Sequence, residues 1–135
     1  QVGNHTIFAN NSQLAGHVHV DDHAILGGFT VVHQFVSIGA HSLTAMGTIL
    51  LQDLPPYVLA SGNSAAPYGI NSKGLKRRGF APAVIAAIRS AYKTLYRSGL
   101  SLEDATAQLS EQAKTHPEVA LFPEFLSRNR RAIIR

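Results

Sequence analysis

A six-residue repeat runs through the first half of the chain and constrains its fold more than any other feature. From Val2 the sequence divides into nine sixes: VGNHTI, FANNSQ, LAGHVH, VDDHAI, LGGFTV, VHQFVS, IGAHSL, TAMGTI and LLQDLP. The first position is apolar in all of them except the one that begins with Thr44, and the fifth is mostly small or β-branched. Neither a helix nor an alternating strand predicts a period of six, whereas a parallel β-helix does. We therefore expect short strands and turns, with the first and fifth residues pointing into a narrow core.

Residues 18 positions apart should lie on neighbouring coils, because three sixes close one turn of such a prism. Adjacent coils are then separated by about 4.8 Å, the usual distance between paired strands. His5, His23 and His41 have this spacing, as do His17, Phe35 and Asp53. We expect each set to stack on successive coils, the histidines as a column on the surface. The repeat ends at Pro55 and Pro56.

The second half has the pattern of a small helical domain. Residues 80–99 carry apolar side chains at intervals of three and four, with Pro82 near the start and Gly99 just past the end, as is typical of an amphipathic helix. Ser101 is suited to cap a second helix. We expect a short final helix within residues 122–135.

Charge divides the chain at a similar point. The 135 residues have a formal charge of +4, yet residues 1–72 contain no Lys or Arg. From Lys73 onward the chain contains twelve basic and five acidic residues. We predict a mainly β protein, with β-helix coils over residues 1–63 and a connecting loop and all-α domain over residues 64–135. A basic module beside a slightly acidic, His-rich one indicates an anionic partner.

The composition also excludes several classes. The chain has no Cys, which excludes disulfides, thiol nucleophiles and thiolate metal sites. No apolar run reaches the roughly 18 residues that a membrane span requires. The amino terminus has neither a basic segment nor an initiator Met, so we do not expect a signal peptide.

A polar pair, His33 and Gln34, follows an apolar run in LGGFTVVHQF. Both residues occupy outward-facing positions of their six. One interpretation is a structural pair that is hydrogen-bonded to a neighbouring coil. The other is a pair that contacts a ligand, because imidazole and carboxamide together offer donors and acceptors.

His17 is a second candidate, because it follows Gly16, whose missing side chain permits close approach of a ligand. It precedes His33 by 16 residues, so we expect it one coil away and nearly in line. The alternative is a histidine that only faces solvent. The surrounding segment HVHVDDH also contains zinc-ligand types, and a metal site made from His17, His19, Asp21 and His23 is a further possibility.

The basic module opens with a cluster of polar and cationic residues: Asn71, Lys73, Lys76, Arg77 and Arg78. A solvated surface is one interpretation. Phosphate recognition is the other, since Arg binds phosphate through two parallel hydrogen bonds. A nucleic acid is not expected, because no recognition motif or stacking aromatic accompanies the cluster.

Several segments together resemble one bacterial family. They are LAGHVHVDDHAILGGFTVVHQF, IGAHS, DLPPYVLASGN and GLKRRGF, and they are similar to acyl-[acyl-carrier-protein]–UDP-N-acetylglucosamine O-acyltransferases, which begin lipid A biosynthesis. The resemblance implies a left-handed β-helix and a cytoplasmic homotrimer with active sites between adjacent prisms. It implies transfer of an R-3-hydroxyacyl chain from acyl carrier protein to the 3-hydroxyl of UDP-N-acetylglucosamine, without a metal or other cofactor.

The resemblance also implies roles for individual residues. It assigns substrate contacts to Gly16, His17, His33, Gln34, Asn71, Arg77 and Arg78. Lys73 and Lys76 would widen the docking surface for the carrier. Met46 matches the position that limits the acyl groove, and its bulk predicts a chain of about ten carbons rather than fourteen, each lost CH₂ contact being worth about 0.8 kcal/mol.

The family's general base is missing from this sequence. It is a His in a His-x-x-His-Asp motif, and the matching position would fall just before Gln1. We therefore expect the chain to be the carboxyl-terminal portion of such an enzyme, without a catalytic residue of its own and inactive in isolation. Two alternatives stay open: a zinc enzyme of the carbonic anhydrase type, and a non-catalytic trimeric scaffold.

Overall fold

The computed structural model describes residues 1–128 and 131–135. These form two compact units. The β-helix unit comprises Gln1–Asn71 together with Arg131–Arg135, and the helical unit comprises Ser72–Arg130.

The described part of the β-helix unit contains ten short strands. They are β1 (Ile7–Phe8), β2 (Gln13–Leu14), β3 (His19–Val20), β4 (Ile25–Leu26), β5 (Val31–Val32), β6 (Ser37–Ile38), β7 (Leu43–Thr44), β8 (Ile49–Leu50), β9 (Val58–Ser61) and β10 (Ala66–Ile70). The sheet orders are β1-β4-β7-β9-β10, β2-β5-β8 and β3-β6. Among β1 to β8, strands pair with those three places along the chain, because three sixes make one coil; β9 follows the end of the repeat and pairs with β7 and β10.

The pairing confirms the predicted coil length. Ile7 pairs with Ile25 and Ile25 with Leu43, all in parallel, which is a shift of 18 residues per coil. The backbone amide of Ile25 donates to the carbonyl of Ser42 at 3.0 Å, and equivalent bonds join the other coils. The fold is a parallel β-helix, as predicted.

The inward positions of the repeat form the core. The first and fifth positions that are at most 4% exposed include Val18, Val20, Ala24, Leu26, Thr30, Val32, Val36, Ile38, Ser42, Thr44, Thr48 and Leu50. Thr44 breaks the apolar pattern but is satisfied there, because its hydroxyl lies 2.9 Å from that of Thr30 and accepts the amide of Gly27 at 3.1 Å. Small and hydrogen-bonded side chains therefore fill the narrow interior.

The fourth position of successive sixes forms the corners of the prism. His5, Asn11, His17, His23, Phe29, Phe35 and His41 all have φ between 57° and 67°. Among non-glycine residues, Asn, Asp and His are the most tolerant of this left-handed region. The abundance of His in the repeat thus has a backbone reason at the corners.

The β-helix unit extends further along the sequence than predicted. We expected the boundary between residues 63 and 64, whereas the compact units meet after Asn71. The reason is that β10 pairs antiparallel with β9, which ties residues 66–70 to the last coil. The chain returns to this unit at its carboxyl end, where Ile133 forms a parallel bridge with Asp53.

The helical unit has helices at the predicted places. They are α1 (Ser72–Arg77), α2 (Pro82–Arg97), α3 (Leu102–Ala113), a 3-10 turn (Pro117–Ala120) and α4 (Leu121–Arg128). The Ser101 hydroxyl accepts the amide of Asp104 at 3.1 Å, so the predicted cap is confirmed. Helix α1 was not predicted, and α4 ends before the residues that return to Asp53. Within residues 1–128 and 131–135, no helix is long and apolar enough to cross a membrane.

Candidate functional site

A pair of stacked rings forms one corner of the β-helix unit. The rings of His17 and Phe35 are parallel within 2°, with centroids 4.8 Å apart. We call this pair the ring corner. The 18-residue spacing predicted that His17 stacks on Phe35, and this is confirmed. The expectation that His17 also lies nearly in line with His33 is not met, because both stacked rings occupy the fourth position of their six.

His33 and Gln34 lead into the ring corner, and both side chains are exposed. The backbone amide of His33 donates to the carbonyl of Leu50 at 2.9 Å, which fixes the position of its Cα. Within the described residues, neither side chain makes a hydrogen bond. Their donors and acceptors are therefore open to a ligand, and the structural pair on a neighbouring coil is not formed.

Gly16 adjoins the ring corner without a packing reason for being glycine. A Cβ added to Gly16 would have no heavy atom within 4 Å, whereas at Gly39 it would lie 2.3 Å from the backbone nitrogen of Pro56. The carbonyl of Gly16 accepts the amide of Phe35 at 3.2 Å. The bare surface at Gly16 leaves room for another molecule to approach the backbone.

The His column, composed of His5, His23, His41 and Tyr57, occupies a different corner. Successive centroids are 4.9, 4.8 and 5.6 Å apart, so the predicted stacking is confirmed. His23 is stacked there while His17 belongs to the ring corner, which separates two of the supposed zinc ligands. Among residues 1–128 and 131–135, no group of three or more His, Cys, Asp or Glu is arranged to hold a metal ion.

Asn71 closes the β-helix unit beside the His column. It is 5% exposed. Its backbone nitrogen donates to the carbonyl of Tyr57 at 2.8 Å, and its side-chain Nδ2 donates to the backbone carbonyl of His41 at 3.3 Å. Asn71 therefore supports the end of the last coil.

The predicted cations lie at the start of the helical unit. Lys73, Lys76 and Arg77 are exposed on α1, whereas Arg78 is half-buried just after it. Burial lowers the pKa of Arg78 from its ordinary value, yet a guanidinium stays charged in proteins. A partly desolvated cation of this kind gains more from an anion than a fully hydrated one does.

Met46 lies on the outside of the β-helix unit. It is 76% exposed, which excludes a core role. Phe29, one coil earlier at the neighbouring corner position, is 55% exposed. Both are large apolar side chains exposed on the outside of the prism.

Sequence reasoning missed a buried carboxylate at the coil below the ring corner. Asp53 is 1% exposed; its Oδ1 accepts the amide of Ser37 at 2.9 Å, and its Oδ2 has no hydrogen-bond partner. Burial raises its pKa, against the opposing effects of the Ser37 amide and the charge of Arg131. The spacing of 18 from Phe35 predicted the coil on which Asp53 lies, but nothing in the sequence indicated that its side chain is buried.

The carboxyl-terminal tail was also missed. The amide of Asp53 donates to Ala132 at 3.0 Å and that of Ile134 to Asp53 at 2.9 Å, while Ile133 and Ile134 are nearly fully buried. The guanidinium of Arg131 lies 5.5 Å from the centroid of the Phe35 ring. The tail thus brings a cation to the ring corner.

Comparison with known proteins agrees with this geometry. The family model described as "Udp N-acetylglucosamine O-acyltransferase; Domain 2" matches residues 53–134, which is more than half of the chain. The chain belongs to the UDP-N-acetylglucosamine O-acyltransferase family.

Individual members are similar along almost the whole chain. The acyl-[acyl-carrier-protein]–UDP-N-acetylglucosamine O-acyltransferase of Thiobacillus denitrificans is 53% identical over 134 residues, covering 99% of this chain and 52% of its own. The structure of the Francisella novicida UDP-N-acetylglucosamine acyltransferase matches with a TM-score of 0.93 at 40% identity, over 97% of this chain and 48% of its own. That of Bacteroides fragilis gives 0.94 at 35% identity, over 99% and 52%. The chain spans about half the length of the curated relatives it matches.

Proposed function

We propose that this chain is the substrate-contacting portion of an acyltransferase that moves an R-3-hydroxyacyl chain from acyl carrier protein to the 3-hydroxyl of UDP-N-acetylglucosamine, the first step of lipid A biosynthesis. The observation that carries the proposal is the exposed, unbonded pair His33 and Gln34 beside the ring corner. The names of the relatives, acyl-[acyl-carrier-protein]–UDP-N-acetylglucosamine O-acyltransferases, support the choice of donor and acceptor.

The proposed reaction is an acyl transfer from a thioester. A general base removes the proton of the sugar 3-hydroxyl, and the oxygen attacks the thioester carbonyl carbon. The tetrahedral intermediate then collapses, the carbon–sulfur bond breaks and the carrier thiol takes up a proton. The base lies outside this chain in the proposal, so the residues described here bind and orient the substrates.

His33, Gln34, His17 and Gly16 form the wall of the proposed cleft. The imidazole and carboxamide can donate to and accept from sugar hydroxyls, a uracil edge or the amides of a pantetheine arm. Gly16 lets a ligand reach the backbone next to His17. The wall has no Lys or Arg between Gln1 and Asn71, which suits uncharged parts of the substrates.

Cations of the basic module serve the anionic parts of the substrates in the proposal. Arg77 and Arg78 bind phosphate or carboxylate groups. For Asn71, which is 5% exposed, the substrate contact rests on the resemblance alone. Lys73 and Lys76 attract the carrier, since every Lys and Arg of the chain lies at residue 73 or later. These assignments follow the resemblance to the family and, for Lys73, Lys76 and Arg77, the exposure of the side chains.

The cleft is proposed to form between copies of the chain. His33 and Gln34 face outward, so a substrate gains a second wall only if another prism lies opposite. A cytoplasmic homotrimer, as the family resemblance implies, would supply three such clefts.

The central test replaces His33 in a full-length acyltransferase that carries this segment. His33→Ala should lower kcat/KM for UDP-N-acetylglucosamine at least about tenfold, the loss expected when a hydrogen bond to a polar substrate is removed. The matched control is His19→Ala, which removes an equally exposed imidazole from β3 and should change kcat/KM less than about twofold. Equal effects of the two substitutions would contradict the proposed site.

A second test concerns the acyl chain. Met46→Gly removes the exposed side chain that is proposed to end the acyl groove. We expect the preferred donor to shift from about ten carbons toward about fourteen, each added CH₂ contact contributing about 0.8 kcal/mol. An unchanged preference in a competition between the two donors would argue against this role for Met46.

The isolated 135-residue chain should show no transfer, because the general base is proposed to lie outside it. Activity at the level of an intact relative would refute this assignment.

A further inference from the structure

We propose that Arg131 is a substrate-binding residue, which the carboxyl-terminal tail holds at the ring corner to bind a phosphate group. This inference rests on the proposed function, because it needs the ring corner to face the substrate cleft. The shared ligand chemistry is a phosphate ester, found both in the diphosphate of a sugar nucleotide and in the phosphopantetheine arm of a carrier protein.

The first argument is the charge of the β-helix unit. Residues 1–72 contain no Lys or Arg, and the tail residues Arg131–Arg135 belong to the same compact unit. Arg131 and Arg135 are therefore the only Lys or Arg side chains in the described part of this unit. Any permanent side-chain cation that acts at the ring corner from within the unit must come from the tail.

The second argument is the position of the guanidinium. It lies 5.5 Å from the centroid of Phe35, and Phe35 stacks at 4.8 Å on His17. A guanidinium near an aromatic ring gains a cation–π interaction, and its planar fork of N–H donors matches the geometry of a phosphate. The side chain of Arg131 is exposed, so a ligand can reach it.

The third argument is that the tail is anchored immediately after Arg131. The carbonyl of Ala132 accepts the amide of Asp53 at 3.0 Å, the amide of Ile134 donates to Asp53 at 2.9 Å, and Ile133 and Ile134 are 3% and 2% exposed. Since the backbone next to Arg131 is fixed, binding a phosphate costs less conformational entropy than it would on a free terminus.

The carboxylate of Asp53 does not neutralise Arg131 by direct contact. No hydrogen bond to Oδ2 of Asp53, and no ion pair between the two side chains, is found among the described residues. The charge of Arg131 acts on Asp53 only at longer range. A bound phosphate would therefore not have to displace an existing salt bridge.

The test compares Arg131→Gln with Arg135→Gln in the full-length acyltransferase that carries this segment. Both variants remove one exposed tail cation, so general effects of charge are matched. We expect Arg131→Gln to raise KM for one phosphate-bearing substrate about tenfold, as for the loss of a charge-assisted hydrogen bond, with kcat changed less than about twofold and an unchanged melting temperature. Arg131→Lys should bind the substrate more tightly than Arg131→Gln but less tightly than the wild type, because lysine keeps the positive charge but lacks the paired N–H donors of a guanidinium.

The two sources of phosphate are separated by the substrate that responds. A higher KM for UDP-N-acetylglucosamine identifies the diphosphate, and a higher KM for the acylated carrier identifies the phosphopantetheine. If both KM values match those of Arg135→Gln, or if Arg131→Gln lowers kcat and the melting temperature together, the proposal is overturned and the side chain has a structural role.

A parallel measurement keeps this proposal separate from the proposed function. If the wild-type protein shows no acyl transfer at all, the proposed function fails. Calorimetric titration with inorganic pyrophosphate then tests Arg131 directly: weaker binding by Arg131→Gln than by Arg135→Gln supports the phosphate site, and equal binding overturns it.

Discussion

The two units of this chain are stabilised over very different distances along the sequence. In the β-helix unit the amide of Ile25 donates to Ser42, and the amide of Gly39 to Leu54, so each coil depends on residues more than a dozen positions away. In the helical unit, Ser101 caps a helix through Asp104, and Thr106 bonds to Leu102. The first unit therefore fails when neighbouring coils cannot approach, and the second when local helix signals are lost.

Function follows the same division. The β-helix unit presents uncharged donors and acceptors at defined backbone positions, whereas the helical unit carries the exposed cations of α1. Rigid, repeated backbone suits the orientation of a reacting group, and flexible cationic side chains suit attraction of an anionic partner. Substitutions in each unit test this comparison, from the largest expected effect to the smallest.

The largest effect is expected where two coils are closest. Gly39→Ala would bring a Cβ to 2.3 Å from the backbone nitrogen of Pro56, and backbone on both sides cannot move away. We expect the free energy of unfolding to fall by about 3 kcal/mol, measured by urea denaturation followed by circular dichroism. Gly16→Ala is the matched control, because its added methyl group meets open space, and it should change stability by less than about 0.5 kcal/mol. Equal denaturation midpoints would contradict the coil spacing.

A pH-dependent effect is expected at Asp53. Burial raises its pKa above the usual value of 3.8, so the folded protein holds this proton more tightly than the unfolded chain. Asp53 therefore increases the free energy of unfolding below pH 3.8. This contribution disappears as the pH rises through the pKa of Asp53 in the folded protein.

Asp53→Asn removes the ionisation but keeps an oxygen for the Ser37 amide. The stability of the variant relative to wild type should therefore increase with pH across this window, in urea melts at a series of pH values. A difference that does not change with pH, or that changes in the opposite direction, would show that the carboxylate is not destabilised by burial.

A smaller effect is expected at the cap of α3. Ser101→Ala removes the acceptor of the Asp104 amide, which lies 3.1 Å away, and should lower the free energy of unfolding by about 1 kcal/mol. Ser110→Ala is the control, since that hydroxyl bonds only to Thr106 within the helix and its loss should be near neutral. A loss at Ser110 as large as that at Ser101 would argue against a specific cap.

The smallest effect is expected from the ion pair of Glu111 and Lys114. The two atoms are 2.9 Å apart, but both side chains are more than 70% exposed, so water and salt screen the interaction. A double-mutant cycle with Ala at both positions should give a coupling energy of at most about 0.5 kcal/mol. A coupling above 1 kcal/mol would mean that surface charge contributes more to the helical unit than local capping does.

The repeat allowed most of the β-helix to be predicted, because the residue types at the first and fifth positions of each six show directly which side chains are buried. The side chains at His33 and Gln34 were correctly expected to face outward. The 18-residue spacing correctly predicted that His17 lies on the coil next to Phe35. The further expectation that His17 lies nearly in line with His33 was wrong, because corner residues stack on corner residues.

The parts that escaped prediction depend on contacts distant in sequence. The tail segment AIIR can form a helix or a strand on local grounds, and only its bridge to Asp53 decides between them. Likewise β10 follows the end of the six-residue pattern, and its pairing with β9 could not be read from periodicity. Arg131 was therefore not a candidate until its neighbours in space were known.

The left-handed corners have a further consequence. The coil requires only that the fourth residue tolerate a positive φ, and His, Asn and Phe all occupy this position here, so the identity of the ring is largely independent of the hydrogen-bonded ladder. Exchanging one corner ring for another would alter what the prism displays while leaving its scaffold intact. Because the corner side chains can change without disturbing the hydrogen-bonded coils, evolution or engineering can vary them to bind new ligands.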